Sequence, residues 1–144
     1  MPLDDAPHMK PQPPDIRLGR RTCPNPRVLR GAKAYASGRA AEQAVKAHYL
    51  QAGFEVCEER WRGKSGEVDL IFSKDAGFIF VEVKSSKTCV QAAQSLSQRQ
   101  LSRIYASAND YVSTTERGLL SDMRIDAALV DASGHIEVLE NVSL

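Results

Sequence analysis

The chain has 144 residues, 42% of them hydrophobic and 26% charged, with a formal net charge of +1. That length fits one domain able to bury a core without disulfide or metal staples, and no apolar run approaches the roughly 18 residues needed to cross a bilayer, so a membrane-spanning protein is excluded. The charge is uneven: residues 1–36 carry seven Lys or Arg against three Asp, and the acidic remainder does not by itself present the electropositive face of a nucleic-acid binder.

All seven prolines lie in the first 26 residues, where they fix extended backbone and leave little to pack. Residues 1–33 read as a flexible Pro/Arg-rich arm and residues 34–144 as the folded domain. Arg17, Arg20, Arg21, Arg27 and Arg30 in that arm can grip phosphates or simply stay solvated. The N-terminus lacks the apolar stretch of a secretory signal, so a cytoplasmic location is expected. Cys23, Cys57 and Cys89 are odd in number and form no C-x-x-C pair, which predicts reduced thiols. His8, His48 and His135 show no metal-ligand spacing.

From Ser37, "SGRAAEQAVKAHYLQAG" predicts a first helix with Ala41, Val45 and Tyr49 on one face and Gly53 at its end. "FEVCEERW" predicts a strand and "GKSG" a turn. "GEVDLIFSKDAGFIFVEVK" reads as two further strands around a turn. "SLSQRQLSRIYASANDYV" spaces Leu101, Ile104, Tyr105, Ala108 and Val112 at threes and fours, which predicts an amphipathic helix. "MRIDAALV" and "HIEVL" then flank "DASG" as a closing hairpin. The order αβββαββ predicts an α+β domain, a mixed sheet with flanking helices.

The central hairpin carries the chemistry. With "KDAG" as a four-residue loop, Ser73 lies opposite Phe78, which puts Asp69 opposite Glu82 and Glu67 opposite Lys84. Alternation then gathers these four on one face and Val68, Leu70, Val81 and Val83 on the other. Two carboxylates about 5 Å apart repel and invite a cation. Mg²⁺, which keeps several waters and accepts one or two carboxylates, suits them. With Lys84 beside it, such a site can polarise a phosphoryl oxygen and activate water. A solvated strand face whose lysine discourages edge pairing is the bland alternative. Glu42 on the first helix can reach the metal or pair with Lys46, and Gln100 at the start of the second helix can hold a phosphate or orient a water.

Taken together, "GRAAEQAVKAHYLQAGFEV", "RWRGKSGEVDLIF", "FIFVEVKSS", "QRQLSRIYASANDYV" and "MRIDAALV" resemble the YraN-type (UPF0102) family, bacterial proteins regarded as predicted endonucleases of the PD-(D/E)xK restriction-endonuclease-like superfamily. The resemblance covers about residues 34 to 131. It implies a restriction-endonuclease-like core, with Asp69 and Glu82 as metal ligands for Mg²⁺ or Mn²⁺, Lys84 as the catalytic lysine and Glu42 as a helix acid supporting the metal. The Val83 carbonyl would complete the metal ligands, and Glu67, Arg124 and Asp126 would shape the site. Gln100 departs from the lysine usual in the family, and Arg60 from an asparagine. The implied function is metal-dependent hydrolysis of phosphodiester bonds in nucleic acid, DNA being the expected partner. Many nucleases of this superfamily pair to cut two strands, so a homodimer fits the resemblance. The competing reading is a non-catalytic nucleic-acid-binding or scaffolding module with the same fold.

Overall fold

The computed structural model describes residues 26–142. The first 25 residues of the expected arm, with Cys23 and His8, lie outside the described residues. Helix α1 spans Pro26–Gln51, followed by strands β1 (Glu55–Gly63), β2 (Gly66–Lys74) and β3 (Gly77–Ser85). Helices α2 (Cys89–Gln94) and α3 (Gln98–Ser113) and a 3-10 turn at Gly118–Leu120 lead to β4 (Asp122–Val130) and β5 (Ile136–Leu139). The five strands lie in sequence order in one sheet. Only β3 and β4 are parallel, because α2 and α3 carry the chain back across the sheet between them.

The fold is the expected α+β arrangement, a mixed sheet between helices consistent with a restriction-endonuclease-like core. On one face α1 packs Ala41, Val45 and Tyr49 against Leu70, Phe72, Ile79, Val81, Ala128 and Val130. On the other, α3 packs Leu101, Ile104, Ala108 and Val112 against Val68, Ile71, Phe80 and Ile125. Each Val, Leu, Ile or Phe among them removed from water contributes about 1.5–3 kcal/mol, so the two layers clamp the sheet from both sides. Among the described cysteines, Cys57 and Cys89 are free thiols.

The start of α3 follows from its sequence. Ser97 accepts the N–H of Gln100 on its hydroxyl at 3.1 Å, and the Gln100 side chain accepts the N–H of Ser97 at 3.3 Å, a reciprocal cap that fixes where the helix begins. Helix α1, in contrast, starts eleven residues before Ser37. Pro26 occupies its first position, where the missing N–H has no intrahelical partner to lose and the fixed φ is already helical. Helix α2 was not expected; Thr88 caps it by accepting the N–H of Gln91 at 3.1 Å.

Two details of the hairpin differ from the sequence reading. The β2–β3 turn has two residues rather than four, since Lys74 pairs with Gly77 and Asp75 takes a positive φ of 55°. The register is nonetheless the expected one, with Ser73 opposite Phe78 and Leu70 opposite Val81. Strict alternation fails one step further on, where Val68 packs on the α3 side while Leu70, two residues away, packs on the α1 side. The break coincides with Arg60 in the adjacent strand, whose φ of 49° interrupts β1 between the pairs Glu59–Leu70 and Trp61–Val68. A left-handed residue rotates the strand out of its pleat, and the partner strand turns with it.

Candidate active site

The ladder between β2 and β3 ends at Leu70 and Val81. Beyond that point β2 remains paired to β1 as far as Gly66, and β3 to β4 as far as Ser85. The sheet therefore forks, and Asp69 and Glu82 are the first residues past the fork. In place of a backbone ladder bond, Asp69 Oδ2 accepts the N–H of Val83 at 2.8 Å. The N–H and C=O of a strand residue point the same way, so the Val83 carbonyl is also directed into the gap.

The fork brings the two acids together. Asp69 is held up to about 7 by burial first and then by the charge of Glu82, against the lowering effect of the Val83 N–H. The negative charge of Glu42 pushes in the same direction. Lys84 Nζ lies 3.2 Å from Glu82 Oε1, and both side chains are more than four-fifths covered, at 19% and 15% exposure. Beside the pair opens a cavity of about 220 Å³, lined by Gly66, Glu67, Asp69, Glu82, Gln100, Arg103 and Ile104. One wall is the forked sheet and the other is the first turns of α3. Gly66 has φ 147°, and a Cβ on it would stand 3.6 Å from Ser107 Oγ of α3, so a side chain here would be strained at the cavity's edge.

The other candidate residues are placed less simply. Glu42 faces the sheet from α1 but is gripped by Arg60, whose Nε and Nη2 lie 3.0 and 3.5 Å from its two oxygens. Lys46, the alternative partner for Glu42, pairs instead with Glu59 at 3.3 Å. Gln100 lines the cavity while its side-chain oxygen serves the α3 cap. Glu67 lies at the rim, paired with Arg62 at 3.1 Å.

Asp126 stands apart from the pair. Fully buried, it accepts Tyr49 Oη at 2.7 Å, Arg124 Nε and Nη2 at 2.9 Å each and the N–H of Asn141 at 3.0 Å. This network ties β4 to α1 and to the segment after β5. Burial and the Asp126 hydrogen bond together raise the Tyr49 hydroxyl well above its ordinary value, keeping it a neutral donor. Arg124 and Asp126 thus brace the fold beneath the site rather than line its cavity.

The donor set fits a hard divalent ion. Two converging carboxylates and a nearby carbonyl offer oxygen alone, and the charge repulsion that raises Asp69 is relieved by a cation between the two acids. Among the described residues no group of three or more His, Cys, Asp or Glu forms a complete cage, so the ion would keep several waters, as Mg²⁺ does. Arg103 was not singled out in the sequence. Its position one helical turn after Gln100 is the signal that marks it.

Sequence comparisons identify the family to which the chain belongs. Residues 41–130, which include the fork and the start of α3, match the model of the uncharacterised protein family UPF0102. A UPF0102 protein of Cereibacter sphaeroides is 46% identical over 113 residues, covering 78% of this chain and 97% of its own. One of Roseobacter denitrificans is 44% identical over 117 residues, covering 81% and 91% respectively. One of Ruegeria pomeroyi is 41% identical over 112 residues, covering 78% and 91%. The chain belongs to the UPF0102 family.

Proposed function

We propose that the protein is a metal-dependent endonuclease that hydrolyses phosphodiester bonds in nucleic acid, with DNA as its substrate. The observation that carries this reading is the convergence of Asp69 and Glu82 at the sheet fork with Lys84 at 3.2 Å from Glu82. Asp69, Glu82 and the Val83 carbonyl would hold Mg²⁺ or Mn²⁺, which supplies charge neutralisation at the phosphoryl group and a more acidic bound water. Lys84, held against Glu82, would hydrogen-bond the phosphate and orient the attacking water rather than act as its base. Glu42, fixed by Arg60, adds negative charge from α1, and Gln100 contacts the substrate side of the cavity. Cytoplasmic action and pairing of two copies belong to the same proposal; among the described residues no helix is long and apolar enough to cross a membrane.

One observation favours the rival reading of a non-catalytic nucleic-acid-binding module: the Glu42 carboxylate is committed to Arg60. The deciding experiment incubates the protein and Asp69→Asn with linear, flapped and four-way DNA, and with RNA, in Mg²⁺, Mn²⁺ or chelator. Endonuclease action requires cleavage that chelator and Asp69→Asn both abolish. Binding that is equal in metal and chelator, with no cleavage of any substrate, would replace it with the binding-module reading.

A further inference from the structure

The α3 wall of the cavity carries a cation that the sheet wall does not use. Arg103 shares its lining with Glu67, Asp69 and Glu82, yet among the described residues its exposed guanidinium forms no ion pair. Three arginines on the strands behave differently: Arg62 pairs with Glu67, Arg60 with Glu42 and Arg124 with Asp126. Arg99, four residues earlier and so on the same side of α3, is also exposed and without an ion pair among the described residues. Residues four apart on a helix present their Cβ atoms roughly 6 Å from one another. The pair therefore makes a short basic track leading along α3 away from the acidic fork.

We infer that Arg103 grips the phosphate under attack from the α3 side, opposite the carboxylate wall, and that Arg99 holds a neighbouring phosphate of the same strand. The inference rests on the endonuclease reading of the site. A planar guanidinium matches two phosphate oxygens at once, whereas Lys84, paired with Glu82, offers a point charge. With a cation on Asp69 and Glu82, a phosphate in the cavity would be held from both sides, and the strand's direction would be set by the line from Arg103 to Arg99. Both arginines are exposed, so replacing them leaves the core intact.

The test compares wild type with Arg103→Ala, Arg103→Lys and Arg99→Ala. Fluorescence anisotropy follows labelled single-stranded DNA, duplex DNA and RNA in Ca²⁺ over a salt series, cleavage is measured in Mg²⁺, and melting is followed with and without Mn²⁺. Arg103→Ala should weaken binding of the cleaved substrate roughly tenfold, raise KM more than it lowers kcat, and make the log–log salt slope shallower by about one. Arg103→Lys should recover part of the affinity, and Arg99→Ala should cost only about twofold to threefold. The rise in Tm with Mn²⁺ should be the same in Arg103→Ala as in wild type. Wild-type binding and cleavage by Arg103→Ala would overturn the inference alone, as would loss of its Mn²⁺ response, which would make Arg103 a support of the metal site. A wild type that neither binds nor cleaves any of the three substrates would overturn the endonuclease reading and this inference together.

Discussion

Two aspartates lie in the same sheet, and their surroundings are opposite. Asp126 is fully buried and accepts four hydrogen bonds from Tyr49, Arg124 and Asn141. Asp69 receives one backbone N–H and faces a second carboxyl group, so its charged form is disfavoured. A buried charge with every lone pair answered belongs to the scaffold, whereas one left beside a like charge is a cost that the fold alone does not explain. The difference separates the brace of this molecule from its candidate site, although both residues are acids in one sheet.

The comparison breaks most visibly in activity. Asp69→Asn should lower cleavage by about 10³-fold or more, equivalent to about 4 kcal/mol of transition-state stabilisation, while its circular dichroism stays native. Lys84→Ala should do the same with the metal response retained. Asp126→Ala should act on the fold instead, since it strands Arg124 and the Tyr49 hydroxyl; urea denaturation should report a loss of about 3 kcal/mol.

A smaller effect reverses the usual sign of mutation. The folded protein holds the Asp69 proton up to about pH 7, above the ordinary aspartate value of 3.8, so between those values the folded state binds a proton that the unfolded state has lost. The stability from that proton is complete below about pH 4 and is lost as pH rises to 7. Asp69→Asn should therefore be more stable than the metal-free wild type at pH 8, by about 2 kcal/mol, and should flatten the fall in Tm between about pH 4 and 7. At the other end, Arg62→Ala breaks only the rim pair with Glu67, whose arginine is 79% exposed. It should shift stability by less than about 0.5 kcal/mol.

The hairpin register was legible because it depends on the centre of the turn rather than on where pairing stops. A four-residue and a two-residue loop centred on Asp75 and Ala76 give the same partners, so Asp69 and Glu82 were matched despite the misjudged loop. The apolar faces of α1 and α3 were legible from their spacing, and Ala41, Val45, Leu101 and Ile104 are all buried. Other features depend on tertiary context. The prolines of the first 26 residues read as fixing extended backbone, yet Pro26 opens α1. The change of face between Val68 and Leu70 follows from the left-handed backbone of Arg60 in another strand, which no pattern within β2 encodes. Helix α2, at six residues, is too short for periodicity to reveal. The Glu42–Arg60 pair joins residues 18 apart across two elements, and sequence spacing suggested Lys46 instead.

The most direct test of the site is isothermal titration of Mn²⁺ into metal-free wild type and Asp69→Asn at pH 7.5. The account predicts a saturable site of about one ion per chain in the wild type and its loss in the variant. A wild type that takes up no Mn²⁺, or a variant that binds it as tightly as the wild type, would contradict the assignment of Asp69 and Glu82 as a metal centre.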